Sequence, residues 1–279
     1  MKDARNASVL LPHFQQVQSQ ALQARSLLDR ASLAADAVYD LRLSLRICRI
    51  LRHFVRKDPD FDQWSPVFDQ CYRATSPVRD HQVGIGLIRQ LECGWPRNRR
   101  RPSTALARAL RQSYPLLGGE MDRLGLPQAL AAMQAAIEQI ERQASPKKLI
   151  KRAGHHADRL AVALGTRMRT ALARHRIKDW HNLRLAIKHY RFWVGALEDV
   201  LSAEHAARAR ALKPLQVALG EAHDNEVLAR WLPEVPGVPL DVWQLALSER
   251  KQVDLARAMT LLTPLLASHG LADLANGIS

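Results

Sequence analysis

The sequence is short of the features that mark secreted, membrane-spanning or sheet-forming proteins. Its 279 residues hold three cysteines, Cys48, Cys71 and Cys93, too few for a disulfide framework and without a Cys-x-x-Cys spacing. They read as reduced thiols of a cytosolic protein. No run approaches the roughly 18 apolar residues of a membrane span. Met1–Asn6 leads into no long apolar stretch, so neither a membrane partner nor a secretory signal is expected. Alternating β-branched strand patterns are almost absent. Aromatic residues make up only 5% of the chain, which is thin for stacking on nucleic-acid bases. Acidic residues are outnumbered: 27 Asp+Glu against 41 Lys+Arg give a net charge of +14. A hydrophobic fraction of 47% rules against global disorder. A folded chain with this surplus points to a polyanionic partner.

Catalytic motifs are missing as well. There is no P-loop, no Gly-x-Ser-x-Gly and no His-Glu-x-x-His, and Gly84 and Gly86 do not continue into a dinucleotide fingerprint. His155-His156 stands without a matching cluster of acidic or cysteine ligands. No catalytic residue, metal or cofactor is therefore expected.

What is abundant is Ala, Leu, Arg and Gln, all good helix formers. The pattern predicts an all-α chain with helices near 8–34, 37–57, 63–73, 79–92, 103–114, 127–143, 147–175, 179–202, 205–219, 224–232 and 240–267. Asp58-Pro59, Ser76-Pro77, Gly94-Trp95-Pro96, Gly118-Gly119, Ser145-Pro146 and the Pro-rich stretch 233–239 read as breaks. Long helices and short connections predict antiparallel bundles. Arg97–Pro102 is a concentrated basic loop, expected to be solvated.

The chain also matches itself. Tyr39-Asp40-Leu41-Arg42-Leu43-Ser44-Leu45-Arg46 aligns with His181-Asn182-Leu183-Arg184-Leu185-Ala186-Ile187-Lys188, with Arg49 opposite Arg191. Further on, Ser76-Pro77-Val78-Arg79-Asp80 aligns with Gly220-Glu221-Ala222-His223-Asp224. Two landmarks in the same order imply an internal duplication, with halves at 1–145 and 146–279. The expected architecture is two pseudo-symmetric antiparallel helical bundles around a basic cavity.

On a helix advancing about 100° per residue, Tyr39, Arg42, Arg46, Arg49, His53 and Arg56 share an arc of roughly 100° over about 25 Å. Apolar residues fill most of the remaining circumference. His181, Arg184, Lys188 and Arg191 repeat the stripe in the second copy, and no acidic residue joins it before Glu198. Each helix is thus expected to be buried on most sides, with a narrow basic stripe. Like charges on successive turns repel, a cost that an anion would offset. One such helix could be a solvated face bridged to its neighbours; two copies favour an anion channel or groove.

Arg79-Asp80 and His223-Asp224 sit at expected helix starts, where Asp suits the macrodipole. Each Asp could equally orient a stripe residue. A third basic element lies on the helix expected over 147–175, where Lys148, Lys151, Arg152, His155 and Arg159 have the spacing to share a face.

These motifs resemble the CHAD family, the conserved histidine α-helical domain. Its signature is a duplicated helix of the form His-x-x-Arg-(aliphatic)-x-x-(Arg/Lys)-x-x-Arg, followed by a helix with a basic-Asp pair. His181, Arg184, Leu185, Lys188 and Arg191 match the second copy, and His223-Asp224 its later landmark. The first copy keeps Arg42, Leu43, Arg46 and Arg49, then Arg79-Asp80, but has Tyr39 in place of the family's His and Ile47 where a further Arg is common. The resemblance implies two pseudo-symmetric bundles with a basic cavity, binding of inorganic polyphosphate, and association with polyphosphate granules in the bacterial cytoplasm. The Glu-x-Glu-x-Lys mark of the triphosphatase domain fused to some members is absent.

The sequence thus favours a non-catalytic polyphosphate binder. The residues expected to carry binding are Arg42, Arg46, Arg49, His53, Arg56, Lys148, Lys151, Arg152, His155, Arg159, His181, Arg184, Lys188 and Arg191. Tyr39, Arg79, Asp80, His223 and Asp224 would support them. Nucleic acid is the alternative polyanion, expected to bind more weakly. A polyphosphatase using a His as general acid is the third reading.

Overall fold

A computed structural model describes residues 8–30, 33–96 and 98–268 of the chain. Every regular element among them is helical. The chain separates into two compact units, residues 1–150 and 151–279.

The first unit holds α1 (Leu11–Leu27), α2 (Ala34–Val55), the single turn α3 (Pro59–Asp62), α4 (Ser65–Leu91), α5 (Pro102–Arg123) and α6 (Leu126–Gln143). Proline stands in the opening turn of α1, α3, α4, α5 and α6. There its missing N–H costs nothing and its fixed φ suits the helix. Three of these starts are also tied by carboxylates. Asp58 accepts from the backbone N–H of Asp60 and Phe61 at 3.0 and 3.2 Å. Glu92, itself buried, accepts from the N–H and the hydroxyl of Ser103, both at 2.7 Å, where α5 begins. Glu141 of α6 accepts from the N–H of Val9 and Leu10 at 2.7 and 2.6 Å, ahead of α1.

Helix α2 packs against α1 and α4, and α4 against α5. Leu41, Leu45, Cys48, Leu51 and Phe54 of α2 are fully buried, each at 0 to 1% exposure. At about 1.5–3 kcal/mol per large apolar side chain, this face is what holds α2 in place.

Two expected breaks are not breaks. Helix α4 runs through Ser76-Pro77 without interruption. Pro77 removes one rung of the ladder. In the turn before it, the hydroxyls of Thr75 and Ser76 and the guanidinium of Arg42 all donate to the Tyr72 carbonyl, and burial of Val78, Ile85 and Ile88 carries the helix onward. Helix α5 likewise runs through Gly118-Gly119. A Cβ on Gly118 would lie 2.8 Å from Arg25 Nη1 and 3.1 Å from Asp29 Oδ1. That glycine allows α1 to approach closely; it does not end the helix. The turn falls instead at Gly125, at φ 77°.

The second unit is built from α7 (Pro146–Arg174), most of which it contains, α8 (Ile177–Ala196), α9 (Ala203–Ala211), α10 (Lys213–Trp231) and α11 (Leu240–Ser268), with a 3-10 turn at Leu232–Glu234. Its core joins Leu164 and Met168 of α7, Leu183, Ile187 and Tyr190 of α8, Leu215 and Leu219 of α10, and Leu262 of α11. Here too a division moves. In place of helices over 205–219 and 224–232, the chain turns at Leu212, and Pro214 opens one helix through to Trp231. Both basic-Asp pairs therefore lie inside helices, Arg79-Asp80 in α4 and His223-Asp224 in α10. The helix-start role for Asp80 and Asp224 is overturned. The expected basic loop now ends at Pro102, the first residue of α5; its Arg97 lies outside the described residues, as do residues 31–32 of the helix expected over 8–34.

Candidate functional site

In the first unit the stripe of α2 faces α4. Arg42, Arg46, Arg49 and His53 are half-buried, and Arg56 is exposed just past the helix end. Tyr72 of α4 occupies the middle of this stripe. Its ring centroid lies 4.4 Å from the Arg42 guanidinium, 4.7 Å from that of Arg49 and 5.7 Å from that of Arg46. Arg46 also donates to the Tyr72 hydroxyl at 3.0 Å. Such stacking on an aromatic face offsets part of the repulsion between adjacent cations.

The remaining donors meet side chains of the same helix. Arg42 Nη1 donates to Thr75 Oγ1 at 2.7 Å and to Ser76 Oγ at 3.2 Å. Burial depresses the Arg42 pKa, opposed by Tyr72. Arg49 Nε and Arg52 Nη1 converge on the Asp69 carboxylate at 2.6 and 2.7 Å. Burial disfavours the Asp69 charge, but the hydrogen bonds and charges of Arg52 and Arg49 outweigh it and hold the carboxyl below its ordinary range. The expectation named neither Asp69, Tyr72 nor Arg52. The polar run Asp69, Tyr72, Ser76 and Arg79, at intervals of three and four, was the signal for such a facing stripe.

Tyr39 and Arg79 sit apart from this cluster. The Arg79 guanidinium lies 5.7 Å from the Tyr39 ring centroid, and Tyr39 is 55% exposed. Asp80 is exposed and acts on Arg42 only through its field.

In the second unit the stripe of α8 faces α9 and α10. Arg191, at its far end, is held by protein groups. It donates through Nε to the Ala209 carbonyl at 2.8 Å and through Nη1 to Gln216 Oε1 at 2.5 Å, and burial lowers its pKa. Lys188 is half-buried one turn earlier.

At the start of α8 the arrangement differs. His181 and Arg184 line a recess of about 420 Å³, together with Lys178, His223, Arg230 and Lys251. The one carboxylate in its wall is Glu226, which pairs with Arg230 and, at 3.2 Å, with Lys251. Four Lys/Arg side chains thus meet a single acid. The His181 and His223 rings lie 5.6 Å apart. The His223 pKa is pushed down to about 4 by burial, then by the charges of Arg184, His181 and Lys188, against a weaker upward pull from Glu226. Burial is the larger cause, and the neighbouring cations add to it. Asp224, beside it, is half-buried.

The third basic element lies on α7. On α7, Leu149, Ala153, Ala157 and Ala161 are buried, while Lys148, Lys151, His155 and Arg159 are exposed and Arg152 is half-buried. Arg159 Nη2 lies 3.1 Å from His156 Nδ1. The described contacts bring none of these five residues to the recess.

A buried polar chain in the second unit escaped the sequence reading altogether. Tyr190 Oη lies 3.0 Å from His205 Nδ1, His205 Nε2 lies 3.3 Å from Asp158, and Arg208 joins Glu204 at 2.6 Å and the Tyr190 hydroxyl at 3.5 Å. Burial lowers the His205 pKa. The chain ties α7, α8 and α9 together.

Among the described residues no group of three or more His, Cys, Asp or Glu side chains could hold a metal ion. No helix among them is long and apolar enough to cross a membrane.

No curated protein matches the chain. The CHAD domain matches residues 5–233, a span that includes both stripes and both helices facing them and stops ahead of α11. Such a match covers most of the sequence, and the chain belongs to the CHAD domain family.

Proposed function

We propose that the protein binds inorganic polyphosphate without turning it over, with the recess at His181, Arg184 and His223 as the principal contact. The chain is a duplicated structure in which α2 with α4 and α8 with α10 are corresponding pairs that frame a basic cavity. Lys188 extends the contact along α8. Arg42, Arg46, Arg49, His53 and Arg56 of the first stripe contribute a weaker, partly neutralised contact. Lys148, Lys151, Arg152, His155 and Arg159 add a polyanion-attracting face. The setting is the bacterial cytoplasm, at polyphosphate granules.

The observation that carries this reading is the imbalance in the recess: four Lys/Arg side chains against one carboxylate that is already paired, around a half-buried His223 whose protonation is opposed first by burial and then by the neighbouring cations. Arginine forks and ammonium groups suit phosphate oxygens. A polymer charged at every unit engages several of them at once. CHAD membership is consistent with a polyphosphate-related function.

The test is a titration with long-chain polyphosphate and with single-stranded RNA of matched charge, near physiological ionic strength where exposed charges are screened. Polyphosphate should bind more tightly, with a steep salt dependence, and Arg184→Ala and Lys188→Ala should each weaken it. Equal or tighter RNA binding would make the protein a general nucleic-acid binder. Sustained phosphate release in the presence of divalent metals, abolished by His181→Ala, would make it an enzyme.

A further inference from the structure

The first unit carries a second recess that the polyphosphate reading does not use. It encloses about 800 Å³ between α2, α4 and α5, and its wall includes Tyr39, Arg79, Ile85, Arg89, Leu110 and Arg111. Its volume is that of a small-molecule site.

Its long axis follows from two contacts. Gln82 Nε2 donates to the Tyr114 hydroxyl at 3.3 Å, and Glu92 accepts from Ser103 at 2.7 Å. The pairs run in opposite senses, so α4 and α5 are antiparallel. Arg111 therefore lies on the Arg89 side of the Gln82–Tyr114 bridge, and Tyr39 with Arg79 on the other. Arg79 and Arg89 are ten residues apart on one helix, roughly 15 Å along its axis.

The two ends differ in charge. At the Tyr39 end, Arg79 stacks at 5.7 Å on an exposed aromatic ring, and Asp36, one turn before Tyr39 on α2, is the one carboxylate in the wall. At the far end Arg89 and Arg111 are both exposed, form no ion pair among the described residues, and have no acid beside them in the wall. Between the ends the wall is apolar at Ile85 and Leu110. A bare phosphate chain gains nothing from the apolar wall or the ring, and Asp36 repels it at one end. The gradient suits a ligand with a flat uncharged head and a polyanionic tail.

We propose that this trough is a binding site for a nucleoside polyphosphate, with the base stacked at Tyr39 and Arg79 and the phosphates on Arg89 and Arg111. Base stacking on aromatic and guanidinium planes is the recognition that every nucleobase allows. Asp36 offers an acceptor to a sugar hydroxyl at the same end.

The test is calorimetric titration of the full-length chain with ATP and, separately, with tripolyphosphate, which shares the tail and lacks the head. ATP should bind about tenfold more tightly. Tyr39→Ala should abolish that advantage and leave tripolyphosphate unchanged. Arg111→Gln should weaken both ligands at this trough about tenfold, and Arg184→Ala in the other unit should leave ATP binding unchanged. Tyr39 and Arg111 are exposed, so helical circular dichroism should be unchanged in both variants, which separates loss of binding from loss of fold. ATP binding no tighter than tripolyphosphate, or indifferent to Tyr39→Ala, overturns the proposal. So does ATP binding that is lost in Arg184→Ala and kept in Arg111→Gln. Long-chain polyphosphate measured on the same variants separates the two sites: its binding should weaken tenfold or more in Arg184→Ala and persist in Tyr39→Ala.

Discussion

The α2 and α8 helices carry nearly the same basic stripe, yet one packs on a tyrosine, hydroxyls and a carboxylate of the helix it faces and the other opens on a recess. The difference lies in the helix that each one faces. Carrying the Ser76–Gly220 register back along α4 and α10 sets Tyr72 opposite Gln216, Asp69 opposite Lys213 and Thr75 opposite Leu219. In the first unit Asp69, Tyr72, Thr75 and Ser76 together engage Arg42, Arg46 and Arg49. In the second, Leu219 and Gly220 offer Arg184 no side-chain hydroxyl. Glu226, in the recess wall, is already paired with Arg230 and Lys251. A basic stripe by itself therefore does not define an anion site. The partner helix decides which groups meet its charge.

The largest expected effect tests this contrast directly. Arg184→Ala should weaken polyphosphate binding tenfold or more, as expected for a charge-assisted contact of about 1.5–3 kcal/mol. Arg42→Ala should change it by no more than about twofold. Equilibrium titration of both variants checks this, and equal losses would dissolve the contrast.

Asp69→Ala should convert the first stripe toward the second. It leaves Arg49 and Arg52 without their shared carboxylate, so thermal stability should fall, by about 1–2 kcal/mol for a half-exposed pair. Polyphosphate affinity should rise at the same time. A variant that is less stable with unchanged affinity would show that the first stripe is structural only.

The two units should also differ with pH. The folded-state pKa of His223, about 4, lies below its ordinary 6.5. Between those values the unfolded chain holds a proton that the folded chain does not. The stability contributed here is complete above about pH 6.5 and is lost as the pH falls toward 4. Bound polyphosphate should raise this pKa and reverse the loss. Thermal melts from pH 7.5 to 5, with and without polyphosphate, should show the effect in the wild type and lose it in His223→Gln. The matching position in the first unit is Arg79, which has no imidazole to give such a signal.

Tyr72→Phe is the mildest test. It removes the hydroxyl bond to Arg46 and keeps the stacked ring. A stability loss of about 0.5–1.5 kcal/mol is expected; a loss comparable to that of Asp69→Ala would mean that the hydroxyl, not the ring, organises the stripe.

Much of the fold was legible because it rests on local rules. The apolar faces of α2 and α8 could be read from spacing, and Asp58-Pro59 as the end of α2, although the short α3 that starts there was not expected. The misreadings came where tertiary contacts overrode a local rule. Pro77 and Gly118-Gly119 look like breaks, but packing against α2 and α1 carries both helices through. The site was legible as a stripe and not as a cluster. His181, Arg184 and Lys188 announce themselves on one helix. Asp69, Gln216, Lys251 and the buried His205–Tyr190 pair act from other helices, and their spacing along the chain gives no sign of the residue they meet.

The sequence by itself determined the helical class, the basic surplus and the periodic placement of Arg and Lys on one side of two apolar helices, because helix propensity and a 3.6-residue period are local properties. Only the tertiary structure decided which groups meet those charges. Coulomb and hydrogen-bond partners are chosen across space, and Asp69 facing one stripe while Leu219 faces the other is a fact of packing.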